Sequence, residues 1–496
     1  MGHRVTGTAG AAGRPGRSCP GRVRPAAPVP LNVVGEITSL VTPPAPAQAY
    51  GRDVGEVGVR EKGGQNHDEE PERMSRLAVI GAGYVGLVTS ATLAHLGHDV
   101  CCADIAPEKV AMLSRGEIPM VEPGLDQMVR EEMANGRLRF VLGAPAAVSD
   151  REFVFLCLPT PELADGSADM SSILEVAGEI GPQLSHGSIV INKSTVPVGS
   201  THAVQRALAR GDVAVVSNPE FLREGTAIHD CQHPDRIVIG GDDYDVAMRV
   251  AHLYHNTNAP VMITRPSSAE TIKYASNAFL ATRLSFINAL ACLCESIGAE
   301  FRDVIQGMGY DRRIGLDFVE PGPGWGGSCL PKDTRALIRI GEDAGYDFSL
   351  LRCAIAANEE QQDRIVAKIE AMAGGALTDV TVAAWGLTFK AGTDDRRHSP
   401  AIAIIHRLAR SGARVRAYDP TVRQPLPGMD VCLEPYGPCR DASVLVVLTE
   451  WDELRWLNFD KINSLMASPC IVDARNLLDP ETMRRAGFRY QGIGRP

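Results

Sequence analysis

Short apolar runs alternate with helical patterns along most of the chain after residue 74. The first run, RLAVI at 76–80, precedes a glycine-rich turn and a helical stretch that ends near Leu96, and DVCCAD at 99–104 has the pattern of the next strand. Further apolar runs, each bounded by Gly, Pro or polar residues, lie at 153–158, 188–191 and 213–216. Strands that alternate with helices in this way predict an α/β fold with a doubly wound parallel sheet of the Rossmann type.

One long helix is predicted next, from Ser267 to Gly298. Ser267 or Ser268 can cap its start, Glu270 lies in its first turn, and Gly298 can end it. Because such a helix is long for one small domain, we expect a connector that also packs against a second subunit. The chain is therefore predicted to form a homodimer or a larger homo-oligomer.

The alternation of strands and helices begins again after Gly374. VTVAAW at 380–385 predicts a strand, and Ser399 followed by Pro400 predicts the start of a helix. Later strands are predicted at 413–420, 443–449 and 470–474. We therefore expect a first Rossmann domain (74–265), a central helical domain (266–373) and a second Rossmann-like domain (374–496).

Residues 1–73 differ in composition from the rest of the chain. They contain 9 prolines, 12 glycines and a single aromatic residue, Tyr50, so they cannot build a packed core. Five arginines precede the first acidic residue, Glu36, as in some transit peptides, but the Gly and Pro content disfavours the amphipathic helix that a transit peptide needs. A disordered extension is predicted.

Composition and charge exclude several classes of protein. A length of 496 residues suits two or three domains, and a net charge of −10 disfavours general binding to nucleic acid. No uninterrupted apolar run is long enough for a membrane span. The 12 cysteines show neither a CxxC pair nor metal-ligand spacing, which predicts mostly buried thiols, a cytoplasmic protein and no metal site.

The turn after the first strand has a dinucleotide-binding pattern. It comprises Gly81, Ala82, Gly83, Tyr84, Val85 and Gly86. The first glycine forms the turn, the second admits a pyrophosphate close to the backbone, and the third permits close helix packing. Asp104 follows Gly83 by 21 residues, at the end of the second strand, where a carboxylate accepts hydrogen bonds from ribose hydroxyls and repels a 2′-phosphate. NAD is therefore predicted rather than NADP.

Cys329 lies in the run GPGWGGSCLPKDT at 322–334. The small residues before it let the backbone approach closely, and a dehydrogenase can add a thiol to an aldehyde, oxidise the adduct to a thioester and hydrolyse that thioester to an acid. A single cysteine is more often a core residue than a catalyst. The flanking GGS and PKD nevertheless favour a catalytic nucleophile.

Six features occur in an order that resembles the UDP-glucose/GDP-mannose dehydrogenase family. They are GAGYVG (81–86), STVPVG (194–199), NPEFLREG (218–225), the long helix, GGSCLPKD (326–333) and LTFKAGTDD (387–395). The resemblance covers the chain from Met74 onward. It implies a four-electron oxidation of a nucleotide sugar to a carboxylate, with two NAD⁺ used in succession and a thiohemiacetal and a thioester formed on Cys329. DRRIG and LLRCAIAANEEQ favour UDP-glucose as the substrate, with UDP-glucuronate as the product; GDP-mannose or another nucleotide sugar is the alternative.

The resemblance also implies roles for individual residues. For catalysis these are the nucleophile Cys329, the water-positioning Asp333 and Thr195, the acidic Glu220 and Glu224, and an oxyanion-stabilising pair, Lys273 and Asn277. For the cofactor they are Gly81, Gly83, Tyr84, Val85, Gly86, Asp104, Lys109, Thr160, Thr195, Glu224, Lys332 and Arg397. For the sugar nucleotide they are Glu220, Phe221, Leu222, Lys273, Asn277, Arg313, Gly326, Cys329 and Lys390, and Arg313 is expected to reach the site of a partner subunit.

Lys273 and Asn277 are four residues apart and hence on one face of the long helix. Burial would depress the pKa of Lys273 and let it act as the base in the alcohol oxidation. Either Lys332 or the oxidised nicotinamide would favour the thiolate of Cys329.

Two other classes of protein share part of this pattern. A two-electron 3-hydroxyacid dehydrogenase would have the first Rossmann domain and the long helix, but it would not need Cys329. A redox-sensing scaffold would bind NADH and give no product with any nucleotide sugar.

Overall fold

A computed structural model describes residues 74–495 of the chain. They form two mainly parallel sheets, and a block of long helices lies between the two sheets in sequence. The disorder predicted for residues 1–73 lies outside the described residues. The predicted fold class, two doubly wound sheets with one long connecting helix, is confirmed.

Eight strands form the first sheet: β1 (Arg76–Ile80), β2 (Asp99–Asp104), β3 (Leu138–Leu142), β4 (Phe153–Leu156), β5 (Ile189–Asn192), β6 (Ala214–Ser217), β7 (Ile237–Gly240) and β8 (Val261–Thr264). Their spatial order is β3-β2-β1-β4-β5-β6-β7-β8. The order reverses between β1 and β4, and sheets of this kind bind ligands at that crevice. One neighbouring pair is antiparallel, β6 with β7, through Ser217 and Gly240.

Eight helices accompany this sheet: α1 (Tyr84–His95), α2 (Pro107–Leu113), α3 (Leu125–Ala134), α4 (Ala144–Val148), α5 (Ser171–Ile180), α6 (Ser200–Leu208), α7 (Ala227–Gln232) and α8 (Tyr244–Ala251), with short 3₁₀ turns at Gly181–Gln183 and His252–Thr257. Both faces of the sheet are buried. Leu77 and Val79 pack on one side, and Ala78 and Ile80 pack on the other. This is why the strands are continuous apolar runs in sequence.

The central helices are α9 (Pro266–Ile297), α10 (Phe301–Gly309), α11 (Leu330–Asp343) and α12 (Ser349–Ala373). The predicted serine cap of α9 is wrong, because Pro266 is the first helical residue and Arg265 precedes it; proline suits that position since its missing N–H would have no helical partner. Gly298 ends α9 in the left-handed region, as predicted. By length and composition α9 qualifies as a candidate membrane span, yet it packs against α11 and α12 and buries Lys273.

The second sheet has six strands: β9 (Thr381–Trp385), β10 (Arg414–Tyr418), β11 (Asp430–Val431), β12 (Val444–Val447), β13 (Cys470–Asp473) and β14 (Arg489–Gln491). They lie in the order β11-β10-β9-β12-β13-β14, and all five pairings are parallel. Its helices are α13 (Pro400–Arg410), α14 (Phe459–Leu465) and α15 (Pro480–Arg485), with a 3₁₀ turn at Asp452–Trp456. The Ser399 side chain caps α13, as predicted. The domain limits at 265/266 and 373/374 stay predictions.

Candidate active site

Cys329 is the residue immediately before α11, at a helix N-terminus. Buried amide side chains of α9 and α12 hold the loop that precedes it. Asn288 accepts from the Gly322 N–H at 2.8 Å. Asn358 accepts from the Trp325 N–H at 2.8 Å and donates to the Trp325 carbonyl at 3.0 Å. The thiol is therefore carried by a loop whose backbone hydrogen bonds are fixed from two helices.

The same loop lies directly on the segment before α13. A Cβ atom at Gly326 would lie 2.1 Å from the His398 carbonyl oxygen, so no larger residue fits here. Gly327 has a φ of +84°, which favours glycine, and its N–H donates to the Arg397 carbonyl at 3.0 Å. Backbone of the central block thus contacts backbone of the second Rossmann unit beside Cys329.

Lys273 and Glu220 form a buried ion pair. The Lys273 ammonium donates to Glu220 Oε1 at 2.7 Å, and the other carboxylate oxygen accepts from the Leu222 N–H at 2.7 Å. Burial lowers the pKa of Lys273, but the Glu220 carboxylate, together with the negative charges of Cys329 and Asp333, outweighs burial and raises that pKa. The predicted depressed pKa is therefore wrong, because Lys273 is a cation that can stabilise an alkoxide but has no lone pair to act as a base.

Asn277 reaches a second buried carboxylate one helical turn further along α9. Its amide donates to Asp333 Oδ2 at 2.6 Å, and the Lys332 ammonium donates to Asp333 Oδ1 at 2.7 Å. Asp333 is fully buried, so these two hydrogen bonds replace its hydration. Lys332 is thereby directed at Asp333 rather than at the Cys329 thiolate, for which it was a predicted partner.

Burial raises the pKa of the Cys329 thiol, and the Lys273 cation opposes that rise. Glu220 and Asp333 add to the rise because they are negative. The thiol is thus the stable form in this arrangement. The cation that favours the thiolate is Lys273, whereas Lys332, which was predicted for this role, is paired with Asp333.

Glu224 is an acidic side chain that contacts the thiol loop. Its carboxylate accepts from the Ser328 hydroxyl at 3.2 Å and from the Thr393 hydroxyl at 3.0 Å, and the Ser328 oxygen lies 3.5 Å from Cys329 Sγ. Burial and the negative charge of Asp395 raise the pKa of Glu224 to about 7. A carboxylate with such a pKa suits general base catalysis at neutral pH.

The glycine-rich turn has the shape that a dinucleotide needs. A Cβ atom at Gly86 would lie 1.7 Å from the Gly81 carbonyl oxygen, and one at Gly81 would lie 2.5 Å from the Cys157 carbonyl oxygen, whereas one at Gly83 would meet nothing within 4 Å. The first and third glycines are thus required by packing, and the second borders open space at the N-terminus of α1. A pyrophosphate fits there, next to free helix N–H groups.

Asp104 lies at the carboxyl end of β2, beside this turn. Its Oδ2 atom accepts from the Ala82 N–H at 3.0 Å and from Lys109 Nζ at 2.9 Å. Burial would raise the pKa of Asp104, but these hydrogen bonds, together with one from the Ala106 N–H, lower it. An ionised carboxylate at this position fits an unphosphorylated ribose, and Lys109 holds it in place.

Two further predicted cofactor residues, Thr160 and Thr195, follow β4 and β5 at the carboxyl edge of the first sheet. The Thr160 hydroxyl donates to the Thr195 carbonyl at 2.9 Å. Glu270, at the start of α9, accepts from the Gly199 N–H at 2.6 Å and from the Thr201 N–H at 2.8 Å. The STVPVG loop is therefore fixed to the helix that also carries Lys273.

The remaining predicted residues divide into two groups. Lys273 Nζ lies 5.6 Å from the centroid of the Phe221 ring. Lys390 is partly buried, near the negative charge of Glu224. The Arg397 guanidinium binds Asp395 at 2.8 Å and lies 3.7 Å from Glu224. Arg313 is different, because its side chain is 88% exposed and binds Asp311 rather than the residues around Cys329.

Sequence reasoning missed several side chains that support the site. The loop that carries Glu224 is held by Glu122, and the Glu224 carboxylate is contacted by Ser328 and Thr393. The STVPVG loop is held by Glu270. Ser328 and Thr393 lie within recognised motifs. For Glu122 the sequence offers only an acid before a Pro-Gly pair. Among residues 74–495, no group of three or more His, Cys, Asp and Glu side chains is arranged to hold a metal ion.

Comparison with known proteins gives concordant matches along the chain. Three domain models of the UDP-glucose/GDP-mannose dehydrogenase family match: the NAD binding domain at residues 75–258, the central domain at 267–360 and the UDP binding domain at 383–480. The chain is 44% identical to the UDP-glucose 6-dehydrogenase of Rhizobium meliloti (strain 1021) over 435 residues, 85% of this chain and 100% of that protein. It is also 44% identical to the UDP-glucose 6-dehydrogenase of Pseudomonas aeruginosa over 442 residues, 85% of this chain and 98% of that protein. A solved UDP-glucose dehydrogenase from the hyperthermophilic archaeon Pyrobaculum islandicum superposes with a TM-score of 0.78 at 34% identity, covering 86% of this chain and 99% of that one.

Proposed function

Because the chain belongs to the UDP-glucose/GDP-mannose dehydrogenase family and is an NAD-dependent enzyme, we propose that it oxidises UDP-glucose to UDP-glucuronate through a thioester on Cys329. The predicted family, enzyme class and cofactor are confirmed. The observation that carries the proposal is that Cys329 lies close enough to the Lys273 cation for that charge to lower its pKa, and that it contacts Ser328, whose hydroxyl donates to Glu224. The cytoplasmic location stays a prediction.

The first oxidation converts the C6 alcohol to an aldehyde. When bound beside Gly83 and Asp104, NAD⁺ would supply the hydride acceptor for this oxidation and for the second one. Lys273 and Asn277 supply a cation and an amide donor to the C6 oxygen, which lowers the barrier because negative charge develops there. Since Lys273 is already protonated, the alcohol proton leaves to another acceptor, such as water.

Capture of the aldehyde forms one C–S bond. The Cys329 sulfur attacks C6, and the thiol proton ends on the former carbonyl oxygen, which gives a thiohemiacetal. The second oxidation removes hydride from C6 and the hydroxyl proton, which leaves a thioester. Water then attacks C6, the C–S bond breaks, and the carboxylate departs as the thiol forms again. Glu224 takes the proton of that water.

The proposed stoichiometry is two NADH per UDP-glucose. With limiting UDP-glucose and excess NAD⁺, we expect absorbance at 340 nm to report two NADH per sugar and chromatography to show UDP-glucuronate without free aldehyde. Initial rates with GDP-mannose, UDP-galactose and UDP-N-acetylmannosamine serve as the comparison. A faster rate with GDP-mannose would show that GDP-mannose, rather than UDP-glucose, is the substrate. One NADH per sugar with accumulated aldehyde would contradict the double oxidation.

We further propose that a second copy of the chain packs on α9. Phe279, Phe286 and Leu293 recur every seven residues on this helix and are 65%, 57% and 53% exposed, so they form an apolar stripe on one face. Arg283, within the stripe, donates to the Ile314 carbonyl at 2.8 Å. The loop that carries Arg313 therefore borders the stripe, where Arg313 can extend into the site of a partner subunit.

Phe286→Asp is expected to weaken this association, because it buries a charge in an apolar contact. Sedimentation velocity at micromolar protein should show a dimer or larger oligomer for the wild type and a smaller species for the variant. Leu350→Asp, on the exposed face of α12, is the matched control and should leave the sedimentation unchanged. A monomeric wild type would rule out the interface.

A further inference from the structure

Glu122 is a buried carboxylate, 6% exposed, in the loop before α3. It accepts a hydrogen bond from the Tyr84 hydroxyl, a second from the Gly225 N–H at 2.5 Å and a third from the Ala227 N–H at 2.8 Å. A carboxylate that is shielded from water needs such donors to offset its lost hydration. Three donors from two distant segments make Glu122 a connection between them.

The first of these segments is the dinucleotide turn. Tyr84 is the first residue of α1 and follows Gly83, the glycine that borders the open space of the predicted pyrophosphate site. Burial raises the pKa of Tyr84 well above its usual value, and the Glu122 carboxylate adds to this rise. The phenol therefore remains a hydrogen-bond donor to Glu122 at any working pH.

The second segment carries the proposed base. Gly225 directly follows Glu224 in the chain and has a φ of +83°. A Cβ atom at Gly225 would lie 3.1 Å from the Gly392 carbonyl oxygen, so Gly225 is held by Glu122 and is also close to the backbone of the second Rossmann unit. With its backbone fixed by Glu122, Glu224 directs its carboxylate at the hydroxyls of Ser328 and Thr393.

A neighbouring contact extends the connection to the second Rossmann unit. The Val121 N–H, one residue before Glu122, donates to Asp394 at 3.3 Å, and Asp394 follows Thr393. Residues 121 and 122 thus contact the cofactor turn, the Glu224 loop and the segment that covers Glu224. A path of contacts runs from Tyr84 through Glu122 and the Glu224 loop to Ser328, which touches the thiol.

We propose that Glu122 is a positioning residue for thioester hydrolysis, which fixes Glu224 relative to the cofactor turn and to Cys329. The inference rests on the proposed function, since both the thioester and the role of Glu224 belong to it. Glu122 itself contacts neither the thiol nor the space beside Gly83. Its effect is therefore expected on the last step of the reaction, after both hydrides have left the sugar.

The test uses Glu122→Gln in the full chain, followed by stopped-flow absorbance at 340 nm. Gln has an NH₂ group in place of one carboxylate oxygen, and that oxygen accepted a hydrogen bond. The N–H of Gly225 or of Ala227 therefore loses its acceptor, which releases the Glu224 loop. Because a displacement of about 1 Å costs on the order of 10²-fold in rate, we expect steady-state turnover to fall by about that factor. The burst of two NADH per site should persist, with its rate within about threefold of wild type, and intact-protein mass spectrometry should detect the acyl adduct on Cys329.

Two further variants make the result decisive. Glu117→Gln lies in the same loop, exposed and paired with Arg115, and should behave as wild type. Glu122→Asp keeps the charge but is one methylene shorter, so it cannot hold all three donors, and it should lower steady-state turnover by roughly threefold to tenfold with the burst intact. If Glu122→Gln does not fold, Glu122→Asp decides alone.

The outcomes separate this inference from the proposed function. A steady-state rate within twofold of wild type in both variants would overturn the role of Glu122, and so would a burst that falls in parallel with turnover, since that indicates a general structural effect. If instead the wild type yields one NADH per sugar or no UDP-glucuronate, the proposed function fails irrespective of Glu122.

Discussion

Cys329→Ser is expected to abolish sustained NADH production from UDP-glucose. The serine hydroxyl is a much weaker nucleophile than a thiol and gives an oxygen ester instead of a thioester, so neither capture nor hydrolysis proceeds at a useful rate. A loss of about 10³-fold or more in steady-state rate is expected, as for other covalent nucleophiles. The two-NADH burst in stopped-flow measurements should also disappear.

Cys353→Ser is the matched control for this experiment. Cys353 is an exposed free cysteine on α12, remote in sequence from the thiol loop, and its replacement should leave both the burst and the steady-state rate unchanged. NAD binding, measured by fluorescence titration with NADH, should be retained in both variants. Sustained turnover by Cys329→Ser with one NADH per substrate would instead favour the two-electron hydroxyacid dehydrogenase class.

Glu224→Gln is expected to stop the reaction after both oxidations. The amide cannot accept a proton from water, and the loss of a general base typically costs about 10²- to 10⁴-fold. The variant should therefore release two NADH per site in a burst and then turn over slowly. Intact-protein mass spectrometry should show the acyl group retained on the enzyme.

The pH dependence of wild-type turnover follows from the same carboxylate. Since burial and Asp395 raise the pKa of Glu224 to about 7, the protonated, inactive form dominates below that pH and the basic form above it. Steady-state turnover should consequently rise with pH through about 7 where hydrolysis limits the rate, and this rise should vanish in Glu224→Gln. A wild-type profile that is flat between pH 6 and 8 would contradict the assignment.

Much of the fold could be predicted from local sequence because its strands are continuous apolar runs. The β2 strand coincides with the predicted DVCCAD run, and the predicted capping of α13 by Ser399 is also observed. The peripheral strands β3, β8 and β14 were not predicted, since they are partly exposed and their apolar pattern is weak. The start of α9 was misplaced because proline at the first helical position replaced the usual serine cap.

The chemical properties of the site were harder to predict because they depend on distant partners. Lys273 is an ordinary helical lysine in sequence, and its pKa is decided by Glu220, 53 positions away. The contact between Glu122 and Gly225 joins residues 103 positions apart. Motif order identifies which residues meet, but the sign of a pKa shift depends on the balance between burial and a neighbouring charge.

The contact between Gly326 and the His398 carbonyl bears on any attempt to re-engineer the enzyme. One methyl group at this joint would act as a wedge between the thiol loop and the unit that carries Lys390. The thiol loop and the second Rossmann unit therefore cannot move apart or together by even the width of one methyl group without losing this contact. Recombining the first three-quarters of this chain with a C-terminal unit from a relative requires that this backbone contact be preserved, even where every catalytic side chain is retained.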